Sequence, residues 1–332
     1  MMQRARLQVV VAALTNVLLP CVLLLLLFGC AAQIRNQPED VRLLRASALT
    51  EGGEQPTLSF LISEWQQPYN RIGKVQAEER GGSVRVFVDP QQAVIYSEKL
   101  VFSTARAAYT NLVYRVHFSK TPFSLIPFHL AAGNNVGLIV VITLDGENRP
   151  LLVTTVNTCG CYVAIIPTSY LAADAYPSAW PRKEQRVFGQ ILSAQLEMVA
   201  ADDGLLVSIS PALHRVMDVQ VIAADFSHPY QTVSADRQTL SSLKSLPLAG
   251  GGSTSMYYDQ WPLKGHVKGA IKPWESLLLS LVSLDLYVGM DKEYGTTAEK
   301  GNPFYTSLKP WNRQISDMND FAAFLQFHGW KL

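Results

Sequence analysis

Two cysteines separated by one glycine, Cys159-Gly160-Cys161, form the arrangement in this sequence best suited to chemistry. The chain holds four cysteines, and the other two, Cys21 and Cys30, lie near its N-terminus. Thiols at this spacing can close a small disulfide, exchange electrons reversibly, or bind a metal as thiolates. In an extended strand, residues i and i+2 point to the same face. A bond between them needs their Cα atoms within about 6.8 Å, and a glycine between them allows the turn that achieves this. The plainest reading is a structural disulfide in an oxidising compartment. Reversible thiol chemistry, metal binding with histidine help, and a pair of inert thiols stay open beside it. None of the six histidines stands in a His-x3-His spacing. His117 and His129 lie upstream of the central hairpin and could reach the cysteines in a folded sheet as metal ligands. A lone histidine is more often a surface or hydrogen-bonded residue than a ligand.

Other clusters have plainer explanations. Lys264, Lys268 and Lys272 gather around His266 and could touch anionic headgroups, or simply form a solvated face. Residues 274–287 are apolar nearly all round a helix, with Ser276, Ser280 and Ser283 as the polar line. A helix of that kind is expected to be buried. Asp285 lies off the serine line, so it should either find a partner or carry a raised pKa. The sequence contains no Gly-x-Ser-x-Gly elbow, His-Glu-x-x-His pair, P-loop or Rossmann glycine pattern. No enzyme class is therefore indicated, although many active sites are assembled from residues far apart in sequence.

The elements that must position the cysteines read mostly as strands. Residues 83–88 alternate polar and apolar before Asp89-Pro90. Residues 93–102 and 111–118 read as further strands. Residues 136–144 and 151–156 are apolar on both faces and are joined by turn chemistry at Asp145-Gly146-Glu147-Asn148-Arg149-Pro150. They are expected as adjacent antiparallel strands in the interior of a sheet, with the cysteines just beyond the second. Residues 205–209 and 216–224 form a second pair. Helices are expected over 273–287, with proline in the first turn, and from Ser316 to about residue 328, with Gly329 after it. The expected fold class is α+β or mainly β: an antiparallel sheet domain over 57–332 with helices near the C-terminus. A glycine-rich stretch at 247–253 is the place where it would subdivide.

Of the 332 residues, 48% are hydrophobic and 17% charged, below the roughly one quarter charged in ordinary globular chains. Lys plus Arg number 28 against 27 Asp plus Glu, so there is no basic surplus of the kind nucleic-acid binding draws on. Arg4 and Arg6 precede a charge-free stretch from Leu7 to Phe28, which is how an export signal reads and is about long enough to cross a bilayer. At its end, Leu27-Phe28-Gly29-Cys30 resembles the lipobox of bacterial lipoproteins, with an aliphatic residue three before the cysteine and a small one directly before it. The resemblance covers residues 1–30 alone. It implies a signal peptide over 1–29, a covalent diacylglyceryl lipid on Cys30, and a place in the bacterial cell envelope. The absence of aspartate at Ala31 implies the outer membrane. An uncleaved N-terminal helix in the inner membrane, or ordinary cleavage after Ala32, are the alternatives. Residues 30–56 read as a tether, with a short helix near 39–48; as a coil it would span roughly 30 Å. The functional expectation is a membrane-anchored, non-enzymatic module that binds an envelope protein, glycan or lipid. The alternative is a thiol-redox or metal-dependent protein centred on Cys159 and Cys161. No cofactor beyond the lipid, and no nucleic acid, is expected.

Overall fold

A computed structural model of the chain describes residues 40–46, 56–200, 203–223, 226–295 and 302–332. Cys30 and the signal segment lie outside the described residues. The molecule is mainly β, with two helices near the C-terminus. Ten strands form one curled, mixed sheet in the order β13 (Val216–Ile222), β12 (Gly204–Ile209), β2 (Leu58–Ile62), β1 (Arg42–Ala46), β14 (Gln231–Thr239), β5 (Val94–Ser103), β6 (Ala108–Thr121), β7 (Gly133–Leu144), β8 (Pro150–Asn157) and β9 (Ala164–Pro167), while β10 (Glu184–Val187) and β11 (Gln190–Ser193) pair in a ribbon of their own. The central hairpin is as the apolar runs suggest: β7 (Gly133–Leu144) and β8 (Pro150–Asn157) pair antiparallel, flanked by β6 (Ala108–Thr121) and β9 (Ala164–Pro167). The second expected pair is β12 (Gly204–Ile209) with β13 (Val216–Ile222). The strand read at 83–88 is β4 (Ser83–Asp89), which pairs with β3 (Lys74–Arg80) in a separate ribbon.

The sheet is not wholly antiparallel. β14 (Gln231–Thr239) runs parallel to both β1 (Arg42–Ala46) and β5 (Val94–Ser103), and β2 (Leu58–Ile62) runs parallel to β12. β1 also overturns the short helix expected near 39–48. Its Leu43 and Leu44 are fully buried between β2 and β14, so pairing and burial on both sides outweigh any local helical preference.

Side-chain alternation along β6 and β7 divides the core. Leu112, Tyr114, Leu138 and Val140 point inside the curl, where they meet Phe60 and Val207 from the other half of the sheet. Val113, Ile139 and Val141 point outward against the C-terminal segment, which brings Phe304, Phe321, Phe324 and Trp330. Both faces of the central strands are covered, which is why their sequence is continuously apolar.

Both helices are shorter than the sequence pattern suggests. The first, α1 (Pro273–Ser283), ends where Leu284 takes a left-handed backbone at φ 49°. The second, α2 (Phe321–Phe327), begins at Asp320, whose side chain accepts the Ala323 N–H. Ser316 and Asp317 do not cap it. They face the preceding chain, where Asp317 Oδ1 accepts the Phe304 N–H at 2.7 Å and Ser316 Oγ accepts the Thr306 N–H at 3.3 Å.

Candidate functional site

β8 delivers the chain into the cysteine loop. Gly160 N–H donates to Asn157 O at 2.7 Å and Asn157 N–H to Cys161 O at 3.0 Å, closing a tight turn. The sulfurs of Cys159 and Cys161 lie at bonding distance, 2.05 Å, with their Cα atoms 5.6 Å apart. Gly160 carries φ 90°, and a Cβ there would collide with the Tyr305 carbonyl oxygen. Glycine is required twice over, by the positive φ and by the chain lying on top of it.

That overlying chain comes from the C-terminal segment and is fastened down in several places. Lys292 N–H donates to Thr158 O at 2.7 Å, and Lys292 Nζ donates to Cys159 O at 2.8 Å and to Met290 O at 3.2 Å. Asp291 accepts the Thr158 hydroxyl. Tyr305 lies between two cations, with Lys292 Nζ 4.4 Å and the Arg313 guanidinium 5.0 Å from its ring centroid. Its hydroxyl donates to Asp285.

A buried ion cluster underlies this contact. Lys272 Nζ lies 3.1 Å from Asp291 and 3.9 Å from Glu275, all three nearly inaccessible to solvent. Burial opposes the charge on Lys272, but Asp291 and Glu275 outweigh it and hold the ammonium above its ordinary pKa. Lys292 goes the other way. Burial, reinforced by repulsion from Lys272 and opposed by Asp285, brings it down to about 8. Asp285 is held below the usual carboxylate range: burial alone would raise it, but the Tyr305 hydroxyl and the Tyr287 N–H outweigh that effect. The paired alternative expected for Asp285 is therefore the observed one.

The remaining sequence candidates are placed elsewhere. His117 is fully buried in β6; its Nε2 accepts from Arg115 Nε at 2.8 Å, and burial pushes its pKa well down. Arg115 also donates to Lys292 O at 2.8 Å. His129 Nδ1 lies 2.8 Å from Pro122 O. Among the described residues, the donor atoms that converge at the cysteines are the two sulfurs and a Glu275 carboxylate oxygen, within 4.8 Å of one another. Neither histidine belongs to that group. Of the three lysines, Lys264 is exposed, Lys268 is half-buried and donates to Thr254 Oγ1 at 3.0 Å, and Lys272 is buried inside the ion cluster and so takes no part in a lysine surface.

Glu275, Asp291, Lys292 and Tyr305 are the partners that sequence reasoning missed. A signal was present for one of them, Glu275. Lys272 and Glu275 stand three apart at the start of an otherwise apolar helix, a spacing that pairs opposite charges on one face. Asp291 and Lys292 are ordinary in sequence, and only the fold shows what they reach.

Chemically, the arrangement is a set of paired charges around a sulfur pair, in which Glu275 Oε2 and Asp291 Oδ2 are buried with an ion-pair partner but without a hydrogen bond. It fixes the position of backbone carbonyls and holds two distant segments together. No family model, curated protein or solved structure matches this chain.

Proposed function

We propose that the protein is a membrane-anchored envelope lipoprotein, lipidated at Cys30, whose folded domain is a non-enzymatic binding module. In this reading Cys159 and Cys161 are disulfide-bonded in the exported protein and serve as a local clamp. The observation that carries the reading is the use made of the polar groups around the cysteines. Lys292 is spent on the Cys159 carbonyl, Lys272 on Asp291 and Glu275, and Asp285 on Tyr305. A thiol-redox centre would instead need a thiolate with access to a second substrate; Cys159 is only 4% exposed, and Cys161 is half-buried.

The test is thiol counting under denaturing conditions on protein purified from the envelope without reductant. The reading expects no free thiol from Cys159 or Cys161. Two free thiols per chain would contradict the clamp, and stoichiometric zinc would assign the sulfurs and Glu275 to a metal instead. Replacing both cysteines by serine is expected to cost about 1–2 kcal/mol, because a three-residue ring removes little entropy from the unfolded chain.

A further inference from the structure

Helix α1 carries its polarity reversed. The residues it buries include Glu275 at 5% exposure and Ser283 at 0%. Trp274, Leu277, Leu278, Leu281 and Val282 are exposed instead, Leu281 at 83%. Their spacing of i, i+3, i+4, i+7 and i+8 makes one continuous apolar stripe. The burial expected for this helix is thus overturned: the ion cluster takes its polar side and leaves the apolar side outward.

The stripe is extended at both ends. Beyond Ser283 it continues through exposed Leu284 and Leu286. At its start, Trp274 stacks with Phe123 at a centroid distance of 6.2 Å and meets the edge of Phe128 at 5.8 Å. Those rings belong to the connection between β6 and β7, whose tip presents Leu125 and Ile126, the latter 94% exposed. Contiguous exposed apolar surface of this kind marks an interaction site. The exposed stripe includes no charged side chain, and the charged groups beside it, Lys272, Glu275, Asp285 and Arg313, are held by partners on the protein side.

The start of the described chain indicates what covers this surface. The described chain begins at Asp40, and Cys30 lies ten residues earlier. β1 starts at the end of the sheet where β6 finishes and β7 begins, since β5 runs parallel to β14 and β14 parallel to β1. Three strand spacings, about 14 Å, separate β1 from β6. Ten extended residues reach about 33 Å. A bilayer holding Cys30 therefore lies within reach of the sheet end that carries the apolar stripe. Tryptophan at the edge of such a stripe suits the headgroup boundary.

We propose that the exposed stripe of α1 and the loop tip at Leu125 and Ile126 insert into the surface of the lipid bilayer to which the chain is attached. The domain then lies with this end of its sheet against the membrane, as amphipathic helices lie in the interface plane. The inference rests on membrane attachment through the N-terminal segment, and adds to it the face that the domain turns to the lipid.

The test uses the full chain, reconstituted through its own anchor into vesicles of phosphatidylethanolamine and phosphatidylglycerol. Leu281→Cys carries a nitroxide, and Glu147→Cys carries one in the turn at the opposite end of β7. Collisions with dissolved oxygen and with a water-soluble nickel complex are compared. The proposal expects nickel access at 281 to fall by about threefold or more on vesicle addition, and access at 147 to stay unchanged. Equal nickel access at both positions, in protein that sediments with the vesicles, would overturn docking and leave the anchor standing. If Cys30 proves unlipidated, protection at 281 by added vesicles would still support docking and discard the anchor. Protection at 281 without vesicles, with a doubled particle mass, would make the face a contact between copies and overturn the proposal.

Discussion

The Nζ of Lys292 donates a 2.8 Å hydrogen bond to the backbone carbonyl of Cys159, joining residues 133 positions apart. Through this bond the C-terminal segment is fixed over the cysteine loop, with Tyr305 O against Gly160. A side chain at position 160 has no room and the wrong backbone conformation. Gly160→Ala is expected to destabilise the domain by about 2 kcal/mol or more, with the thiols unchanged in number. Urea midpoints for the parent and the variant check it; equal midpoints would mean the overlying chain is not seated as described.

The ion cluster predicts an asymmetry between single and combined substitutions. Lys272→Met leaves Asp291 and Glu275 buried without their cation and is expected to cost about 3–5 kcal/mol. Combining it with Glu275→Gln and Asp291→Asn removes the stranded charges and should recover a large part of that loss. Thermal or urea unfolding of the two proteins gives the comparison. A triple variant less stable than Lys272→Met would contradict this account of the cluster.

Acid sensitivity follows from the buried histidines. His214 stacks on Phe118 with centroids 3.9 Å apart, and its Nε2 lies 2.9 Å from Tyr69 O. Burial, helped by Lys272 and opposed by the Tyr69 carbonyl, lowers its pKa from 6.5 to about 3. Between those values the unfolded chain binds the proton and the folded one does not, so this group's contribution is lost as pH falls from about 6.5 towards 3. The slope is about 1.4 kcal/mol per pH unit for one such group. His214→Asn, which tolerates the φ of 53° at this position, is expected to flatten the stability profile in that window by this amount. An unchanged slope would show that His214 is not the group responsible.

Much of the scaffold was legible in the sequence, for physical reasons. β7 and β8 are buried on both faces, so their apolar runs and the Asp145-Gly146 turn announce a central hairpin. β1 was not legible, because five residues of mixed character become a strand only through partners supplied by β2 and β14. The cysteine pair was visible as a local pattern. The lid over it was not visible, because Asp291, Lys292 and Tyr305 arrive from a segment over a hundred residues downstream. Helix α1 was legible as a helix and misread as buried. Its apolar composition says that something must cover it, and only the placement of Glu275 and Ser283 shows that the described residues leave it exposed.

The account turns on attachment to a membrane through Cys30, and intact-mass measurement of the chain recovered from the membrane fraction tests that most directly. The predicted result is a mature chain beginning at Cys30 with the added mass of a diacylglyceryl group, and with Cys30→Ser the accumulation of the unprocessed precursor. An unmodified N-terminus at Gln33 would contradict the lipid anchor.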